Sequence, residues 1–224
     1  MTSVLVVHDQ SLQRLGLRML LAAEPDLTVI GEAVNALGAA DRCEELRPDV
    51  VVMGSGACDA DGIQAIRRIT RPVAPGERRP RVLVLTPTSS EAYASAALRA
   101  GAGGFLAQHA TPQELTAAVR VVAAGDAVIT PALTRALIET VRQEQPAPRT
   151  ARPAGLATLT ERERDILTAV ASGWSNAEIG ERLSIAPTTV KSHVSHILAK
   201  IGARARVQAV IFAYETGLVR PAAA

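Results

Sequence analysis

Apolar runs and helical patterns alternate along residues 1–124. Within residues 49–53, the four that follow Asp49 form a continuous apolar run, which is typical of a strand buried on both faces of a parallel sheet. Between such runs, hydrophobic residues recur at helical spacing. The alternation of five strands with five helices predicts a doubly wound α/β sheet. The strands are predicted at 4–7, 27–30, 49–53, 82–86 and 104–106, and the helices at 11–23, 36–46, 62–69, 91–100 and 112–124.

Local signals in this half predict how individual helices begin. Asp61 stands just before the third helical pattern, where a short carboxylate suits the N-cap position. Thr111 and Pro112 open the fifth helix, with threonine as the cap and proline in the first helical position. The apolar positions of the first helix are Leu12, Leu15, Met19 and Leu20.

The rest of the chain predicts a linker followed by a small helical domain. A helix is predicted over about 131–144, and the proline-rich residues that follow it predict an extended linker. The predicted organisation is an α/β domain at 1–124, a linker at 125–155 and an all-α domain at 156–224.

Four helices are predicted in the last domain. Capping boxes begin the first two, at Thr160 with Glu163 and at Ser175 with Glu178. Pro187 occupies the first position of the third helix, and a fourth covers about 204–216. The second helix, a short turn and the third helix follow one another in the order that predicts a helix-turn-helix. Trp174 is predicted to fill the core between these helices.

The helix that follows Pro187 has two contrasting faces at about 100° per residue. One is apolar, and the opposite face is short, polar and uncharged, with Lys191 and His196 beside it. Such side chains reach base edges in a DNA major groove without clashing, and cations bind phosphates. The apolar face consists of Val190, Val194, Ile197 and Ile201 with Leu198 beside them, and the polar face of Thr188, Ser192, Ser195 and Ala199.

The charge distribution assigns any nucleic-acid role to the C-terminal part. The net charge of the whole chain is only +2. No acidic residue lies between Glu181 and Glu215, whereas this region and its border are basic. The basic residues are Arg182, Lys191, Lys200, Arg204 and Arg206.

Composition argues against several other classes of protein. No apolar run of membrane-spanning length is present, so we expect a cytoplasmic protein. Cys43 and Cys58 lack metal-ligand spacing and are expected to be reduced, ordinary thiols. No nucleophile–base pair emerges, and His109 has no placed partner, so neither an enzyme nor a cofactor is expected.

Motifs in the C-terminal part resemble the NarL/LuxR-type helix-turn-helix, a likeness that covers about residues 156–219. They lie at 159–167, 175–179, 189–194 and 206–210. The resemblance implies that Ser192 and Ser195 face base edges, that Lys191 binds a base or a phosphate, and that Thr188 and Thr189 anchor the backbone. The predicted DNA-binding set also includes Asn176 and Lys200.

The same resemblance implies a homodimer on double-stranded promoter DNA. The last helix resembles the dimerisation surface of the family, with Val207, Val210 and Ile211. The family often has lysine where Ser195 stands, which implies fewer phosphate contacts in this chain.

Residues 1–124 resemble the receiver domain of two-component response regulators, on motifs at 4–10, 47–53, 61–62, 82–86 and 99–105. Such domains accept a phosphoryl group on an aspartate after the third strand. Acids after the first strand bind Mg²⁺, a Ser or Thr follows the fourth strand and a Lys the fifth.

This chain departs from that pattern where the chemistry takes place. Gly54 stands at the acceptor position, His8 at the first acid and Gln108 at the lysine. Asp9 and Thr86 are retained, and Phe105 occupies the aromatic switch position. We therefore predict an atypical receiver that takes no part in phosphotransfer and binds Mg²⁺ poorly.

Two alternatives for this region are weaker. Asp59 and Asp61 are candidates for a displaced acceptor, although Asp61 is better explained as a helix cap. His8, Cys58 and Asp59 form a possible metal group, but their spacing does not favour one.

The function predicted from the sequence is a DNA-binding transcription regulator that is not activated by phosphorylation. Its control is assigned to a small ligand in the emptied pocket, to a protein partner at the receiver domain, or to its own abundance. The ligand hypothesis rests on the charge and volume that Gly54 and Gln108 remove. The alternative function is an interaction module that sequesters other regulators and binds DNA weakly, which Ser195 supports.

Overall fold

The computed structural model describes residues 1–54, 60–71, 79–86, 91–128 and 154–219. The chain divides into two compact units, one α/β and one helical, with the division between the last two of these segments. The helix predicted at 131–144 lies outside the described residues, as do Cys58 and Asp59. The domain boundaries predicted at 124 and 155 stay predictions.

Five parallel strands form the sheet of the first unit, in the order β2-β1-β3-β4-β5. The predicted doubly wound architecture is therefore confirmed. The central strands β1 and β3 are buried on both faces, which explains their continuous apolar sequence. The strands are β1 Thr2–Val7, β2 Leu27–Ala33, β3 Val50–Met53, β4 Arg81–Thr86 and β5 Gly104–Ala107.

The edge strand β2 is longer than its apolar pattern predicts. It continues past residue 30 through Gly31 and Glu32, and Ala33 pairs with Val7 of β1. Pairing with β1 extends the strand here, although Gly31 and Glu32 interrupt the apolar pattern.

Helices connect the strands: α1 Ser11–Ala22, α2 Ala36–Leu46, α3 Ala60–Ile69, α4 Glu91–Ala100 and α5 Pro112–Ala124. The predicted cap of α5 is confirmed, because Thr111 accepts a hydrogen bond from the amide of Glu114 in a complete capping box. The predicted cap of α3 is wrong. That helix begins at Ala60 and so places Asp61 in its first turn, where a carboxylate still interacts favourably with the helix dipole.

The α/β unit continues past residue 124. Gly125 ends α5 in the left-handed conformation. Val128 then forms an isolated parallel bridge with Gly104, and its carbonyl accepts a 2.6 Å hydrogen bond from the amide of Phe105.

One apolar layer of this unit lies between the sheet and the helices α1 and α5. Leu17 and Leu21 are the side chains of α1 that pack on it. The apolar positions found by periodicity lie elsewhere on α1: Leu12, Leu15, Met19 and Leu20 are all exposed. Because α1 carries apolar residues on two faces, its sequence pattern did not determine which face is buried.

An ion-pair cluster joins the turn after α1 to α5. Arg120 donates hydrogen bonds to Asp26 at 2.7 and 2.8 Å and to Glu24 at 2.6 Å. These bonds from Arg120 lower the pKa of Asp26 to about 2.

We expect this pairing to make stability depend on pH in the acid range. The folded pKa lies below the ordinary value of 3.8, so the contribution of Asp26 is complete above about pH 4 and is lost as the pH falls towards 2. The pair is solvent-exposed, so the effect is small. Thermal unfolding across this range measures it: Asp26→Asn should show a shallower acid decline than the wild type. The control Asp41→Asn removes a different exposed ion pair and should show the same decline of stability with falling pH as the wild type. Equal declines in all three proteins would contradict the assignment of this pH dependence to Asp26.

Within residues 154–219, the helical unit contains the four predicted helices and one short additional helix. Both predicted capping boxes are confirmed, at Thr160 with Glu163 and at Ser175 with Glu178. The additional helix, α6, is a single turn and too short to give a periodic signal. The helices are α6 Ala154–Ala157, α7 Glu161–Ala171, α8 Asn176–Leu183, α9 Pro187–Ile201 and α10 Arg206–Glu215.

A tight turn joins α8 to α9 and sets their relative position. Ser184 adopts the left-handed conformation, with φ of 53°. Gly180 of α8 packs against the turn so closely that a Cβ at this position would lie 2.7 Å from the carbonyl oxygen of Ile185. The glycine therefore allows the turn to lie directly on the helix.

Candidate functional sites

The apolar face of α9 anchors this helix in the core of the helical unit. Val190, Val194 and Ile197 are buried in one cluster with side chains of α7 and α8, as the sequence predicts. Leu198 and Ile201 are partly buried against the same cluster. The opposite face of α9 must therefore point outwards.

That outer face presents short hydrogen-bonding side chains. Thr188, Thr189, Ser192 and Ser195 are exposed. Ser192 Oγ donates to the carbonyl of Thr188 at 3.1 Å, and Ser195 Oγ donates to the carbonyl of Lys191 at 3.0 Å. A hydroxyl whose hydrogen is used in this way keeps its lone pairs, so both serines present acceptors. Acceptors of this size suit the amino groups that cytosine and adenine expose in the major groove.

Lys200 has a role inside the fold. Its Nζ lies 2.7 Å from Oε2 of Glu163, the buried member of the first capping box. Burial is the largest influence on this carboxyl and raises its pKa, but hydrogen bonds from Lys200 and Thr160 outweigh it and lower the pKa of Glu163. This ion pair argues against the predicted DNA contact of Lys200.

Asn176 is bonded within the fold, and its predicted DNA contact stays a prediction. Its side chain is 7% exposed, and its Oδ1 accepts a 2.9 Å hydrogen bond from Arg206. Arg206 also donates to the carbonyl of Trp174. From its charge, Arg206 was predicted to belong to a basic DNA-binding region. In the structure its side chain is buried, and its hydrogen bonds connect α10 to Asn176 of α8 and to Trp174, which precedes that helix.

Trp174 packs against the core, as predicted. It is partly buried on the main cluster of the helical unit. The guanidinium of Arg182 stacks over its ring at 3.6 Å from the centroid. The ring is therefore covered by both the core and an arginine.

The predicted dimerisation residues of α10 differ in exposure. Val207 is 3% exposed, so its side chain packs within the helical unit, and its role in dimerisation stays a prediction. Val210 and Ile211 are half-buried, and their role in dimerisation also stays a prediction.

The predicted pocket residues of the α/β unit lie at the carboxyl edge of the sheet. Gly54 donates its amide hydrogen to the carbonyl of Val7 at 2.8 Å, and Gln108 donates its own to the carbonyl of Thr86 at 2.9 Å. The side chain of Gln108 bonds Gln13 of α1 at 3.0 Å. Phe105, on β5, is wholly buried.

The imidazole of His8 lies directly over Gly54. A Cβ built on Gly54 would be 2.1 Å from Cδ2 and 2.7 Å from Nε2 of this ring. Nδ1 lies 3.1 Å from the amide nitrogen of Gln10, from which it accepts when it carries no hydrogen, and 2.9 Å from Oδ1 of Asp9, to which it donates when it does. Either bond orients the ring. The ring is 1% exposed, and Nε2 has no hydrogen-bond partner among the described residues.

This contact overturns the expectation of an emptied pocket. The space that Gly54 leaves is occupied by His8, and no aspartate fits at residue 54 beside this ring. The sequence contains a signal for this contact. Val7 and Met53 pair in register, so His8 and Gly54 follow at neighbouring strand ends. The large side chain of His8 is thus next to a residue that has none.

Other candidate chemistry receives little support within the described part of the chain. No group of three His, Cys, Asp or Glu side chains there is arranged to hold a metal ion. Cys43 is a buried free thiol, and burial raises its pKa to about 12. None of the helices in these segments combines the length and the apolar character needed to span a membrane.

Two family models match the chain. The receiver domain of response regulators matches residues 4–120, and the model described as bacterial regulatory proteins of the luxR family matches residues 157–213. The nitrate/nitrite response regulator protein NarL of Escherichia coli K12 is 32% identical over 95% of each chain. The DNA-binding transcriptional activator DevR/DosR of Mycobacterium tuberculosis is 35% identical over 99% of this chain and 98% of its own.

Solved structures agree with this fold. A two-component response regulator of the LuxR family from Aurantimonas is 30% identical, with a TM-score of 0.54 over 64% of this chain and 99% of its own. RcsB of Salmonella enterica serovar Typhimurium, bound to promoter P1flhDC, is 21% identical, with a TM-score of 0.52 over 97% of this chain and 99% of its own.

Proposed function

The chain belongs to the NarL/LuxR family of DNA-binding response regulators, and we propose that it regulates transcription without phosphorylation of its receiver domain. One observation carries this proposal: the buried ring of His8 fills the space over Gly54. That space lies at the end of β3, where the family places its phosphate acceptor.

The chemistry of phosphoryl transfer supports the proposal. The reaction needs a carboxylate nucleophile and positive charge to stabilise the transferred group. Gly54 supplies no nucleophile, and Gln108 supplies no charge. Of the two acids that bind Mg²⁺ in the family, only Asp9 remains, and its carboxylate is next to the ring of His8. These residues do not fit a magnesium site, which favours several oxygen ligands.

The filled pocket also changes which input is favoured. A small ligand at the ends of β1 and β3 would have to displace a ring that is buried and hydrogen-bonded at Nδ1. Control by a protein partner or by the abundance of the regulator needs no such displacement. We therefore favour these two inputs over the ligand.

The DNA interface that we propose is smaller than the sequence suggests. Ser192 and Ser195 face the base edges, Lys191 binds a base or a phosphate, and Thr188 and Thr189 contact the backbone. Asn176 and Lys200 are left out because they bond within the fold. With each phosphate contact contributing about 0.9 to the salt dependence, we expect a shallow salt slope for this protein.

The test is to treat the full-length protein with acetyl phosphate and Mg²⁺. We expect no covalent phosphoryl group by intact-mass spectrometry and no change in affinity for operator DNA at fixed salt. A phosphoryl group mapped to Asp59 or Asp61, or a donor-dependent gain in affinity, would contradict the proposal.

Variants separate the missing acceptor from the blocked space. Gly54→Asp restores a carboxylate but retains His8, so we expect it to remain unphosphorylated. The double variant His8→Asp, Gly54→Asp restores the first acid and the acceptor carboxylate and removes the ring. We expect some phosphorylation of this variant. Phosphorylation of the single variant to the same extent would show that the ring does not block the site.

A further inference from the structure

The residues of α9 limit the ways in which this helix can read DNA bases. Asp, Glu, Asn, Gln and Arg, whose side chains make the most selective contacts with base edges, are all absent from Pro187–Ile201. Of the two lysines of α9, Lys200 is paired with Glu163. In the DNA interface that we propose, base reading therefore depends mainly on the hydroxyl groups of Ser192 and Ser195.

Both hydroxyl groups are oriented by the helix itself. Each serine donates its hydroxyl hydrogen to the carbonyl four residues earlier, at 3.1 Å for Ser192 and 3.0 Å for Ser195. Thr168 and Ser172 make the same bond at 2.9 Å, and Thr216 makes it at 2.7 Å, so the orientation follows from the helical backbone. With its hydrogen engaged, each oxygen offers only lone pairs to a partner.

An oxygen that only accepts discriminates between the two kinds of polar group that bases present at the centre of the major groove. The amino groups of adenine and cytosine donate, whereas the carbonyl oxygens of guanine and thymine accept. A serine oxygen opposite a carbonyl oxygen would leave two acceptors without a hydrogen, which is costly in a buried interface. Because every base pair contains one amino-bearing base, this discrimination decides which strand carries that base.

We propose that Ser192 and Ser195 select amino-bearing bases, adenine or cytosine, at two adjacent positions on one strand of the operator half-site. The serines are three residues apart, which is a rise of about 4.5 Å along the helix. Neighbouring bases are about 3.4 Å apart, so the two oxygens can face neighbouring base pairs. Since an acceptor bonds the amino group of either base, adenine and cytosine are equally suitable. This inference rests on the DNA interface of the proposed function and adds the class of base that it recognises.

In vitro selection from randomised DNA duplexes tests this preference with the full-length protein at one fixed salt concentration. We expect two adjacent positions at which adenine and cytosine are each favoured about tenfold over guanine and thymine, which is the effect of one hydrogen bond. Ser192→Ala should remove the preference at one of these positions, and Ser195→Ala at the other. Guanine or thymine at the positions that respond to the serines would overturn the proposal.

The matched control is Ser172→Ala. Ser172 is exposed and makes the same internal hydrogen bond, but it lies at the end of α7. The control should select the same sequence as the wild type. A well-defined operator whose base preferences are unchanged in all three variants would overturn this inference and leave the DNA-binding function intact, whereas a wild-type protein that selects no sequence would overturn both. No phosphodonor is present, so phosphorylation independence is judged separately, by intact mass.

An analogue of adenine tests the amino group itself. Purine deoxyriboside lacks the 6-amino group, and placing it at a selected adenine should weaken binding of the wild-type protein about tenfold. The same replacement should have almost no effect on the serine variant that lost the preference at this position. Equal losses in the wild type and in that variant would show that the serine does not bond the amino group, and would overturn the proposal.

Discussion

Replacing Gly54 by alanine should lower the free energy of unfolding of the α/β unit by about 1–3 kcal/mol, because the added methyl group overpacks a buried site. The methyl carbon would lie 2.1 Å from Cδ2 of His8. Gly54 is not among the residues with positive φ, so alanine brings no backbone strain at this position. The loss would therefore arise from the contact with His8.

A double-mutant cycle tests this origin. His8→Ala removes the ring and is itself expected to destabilise the unit by leaving a cavity. In the His8→Ala background, Gly54→Ala should be nearly neutral, so the two substitutions should show a clear coupling energy in chemical denaturation.

Gly16→Ala is the matched glycine control. It lies in α1 with open space around it, and alanine there should stabilise the helix by about 0.5–1 kcal/mol. If Gly54→Ala were equally destabilising with and without His8, the ring would not fill the space, and the main support for phosphorylation independence would be lost.

The second large effect is expected at Lys191. Lys191→Glu should weaken operator binding about a hundredfold, because it removes a cationic contact and places a negative charge beside the phosphates. The milder Lys191→Gln should reduce the slope of log affinity against log salt by about 0.9. Equilibrium binding to operator DNA at several salt concentrations measures both values.

Lys200 on the same helix provides the control. Because it is paired with Glu163, Lys200→Gln should lower the stability of the helical unit while leaving the salt slope almost unchanged. A drop in slope at Lys200 as large as that at Lys191 would show that the ion pair opens when DNA binds. An unchanged affinity in Lys191→Glu would favour the interaction module with weak DNA binding.

Much of the fold follows from local signals. The continuous apolar runs around Val51 and Val84 identify buried parallel strands because both faces of such strands need apolar residues. Thr111, Thr160 and Ser175 begin their helices as expected because a capping box requires only residues three positions apart. The exposed and buried faces of α9 follow from a single apolar stripe.

The sequence says least about side chains that are positioned by residues distant in the chain. Arg206, Asn176 and Lys200 look like a basic, polar DNA surface in the sequence. The packing of α7, α8 and α10 instead turns Arg206 towards Asn176, and Lys200 towards Glu163. A count of charged residues does not show whether a cation bonds to other residues of the fold or is available to bind DNA.

By itself the sequence determined the order of the strands and helices, the helix-turn-helix and the absence of a carboxylate at residue 54, because periodicity, caps and residue identity are local properties. Only the tertiary structure decided that His8 fills the space of Gly54 and that α1 turns Leu17 and Leu21 inwards. The first depends on the register of β1 against β3, and the second on the orientation of α1 over the sheet. Both are long-range pairings, which the sequence pattern of a single segment does not contain.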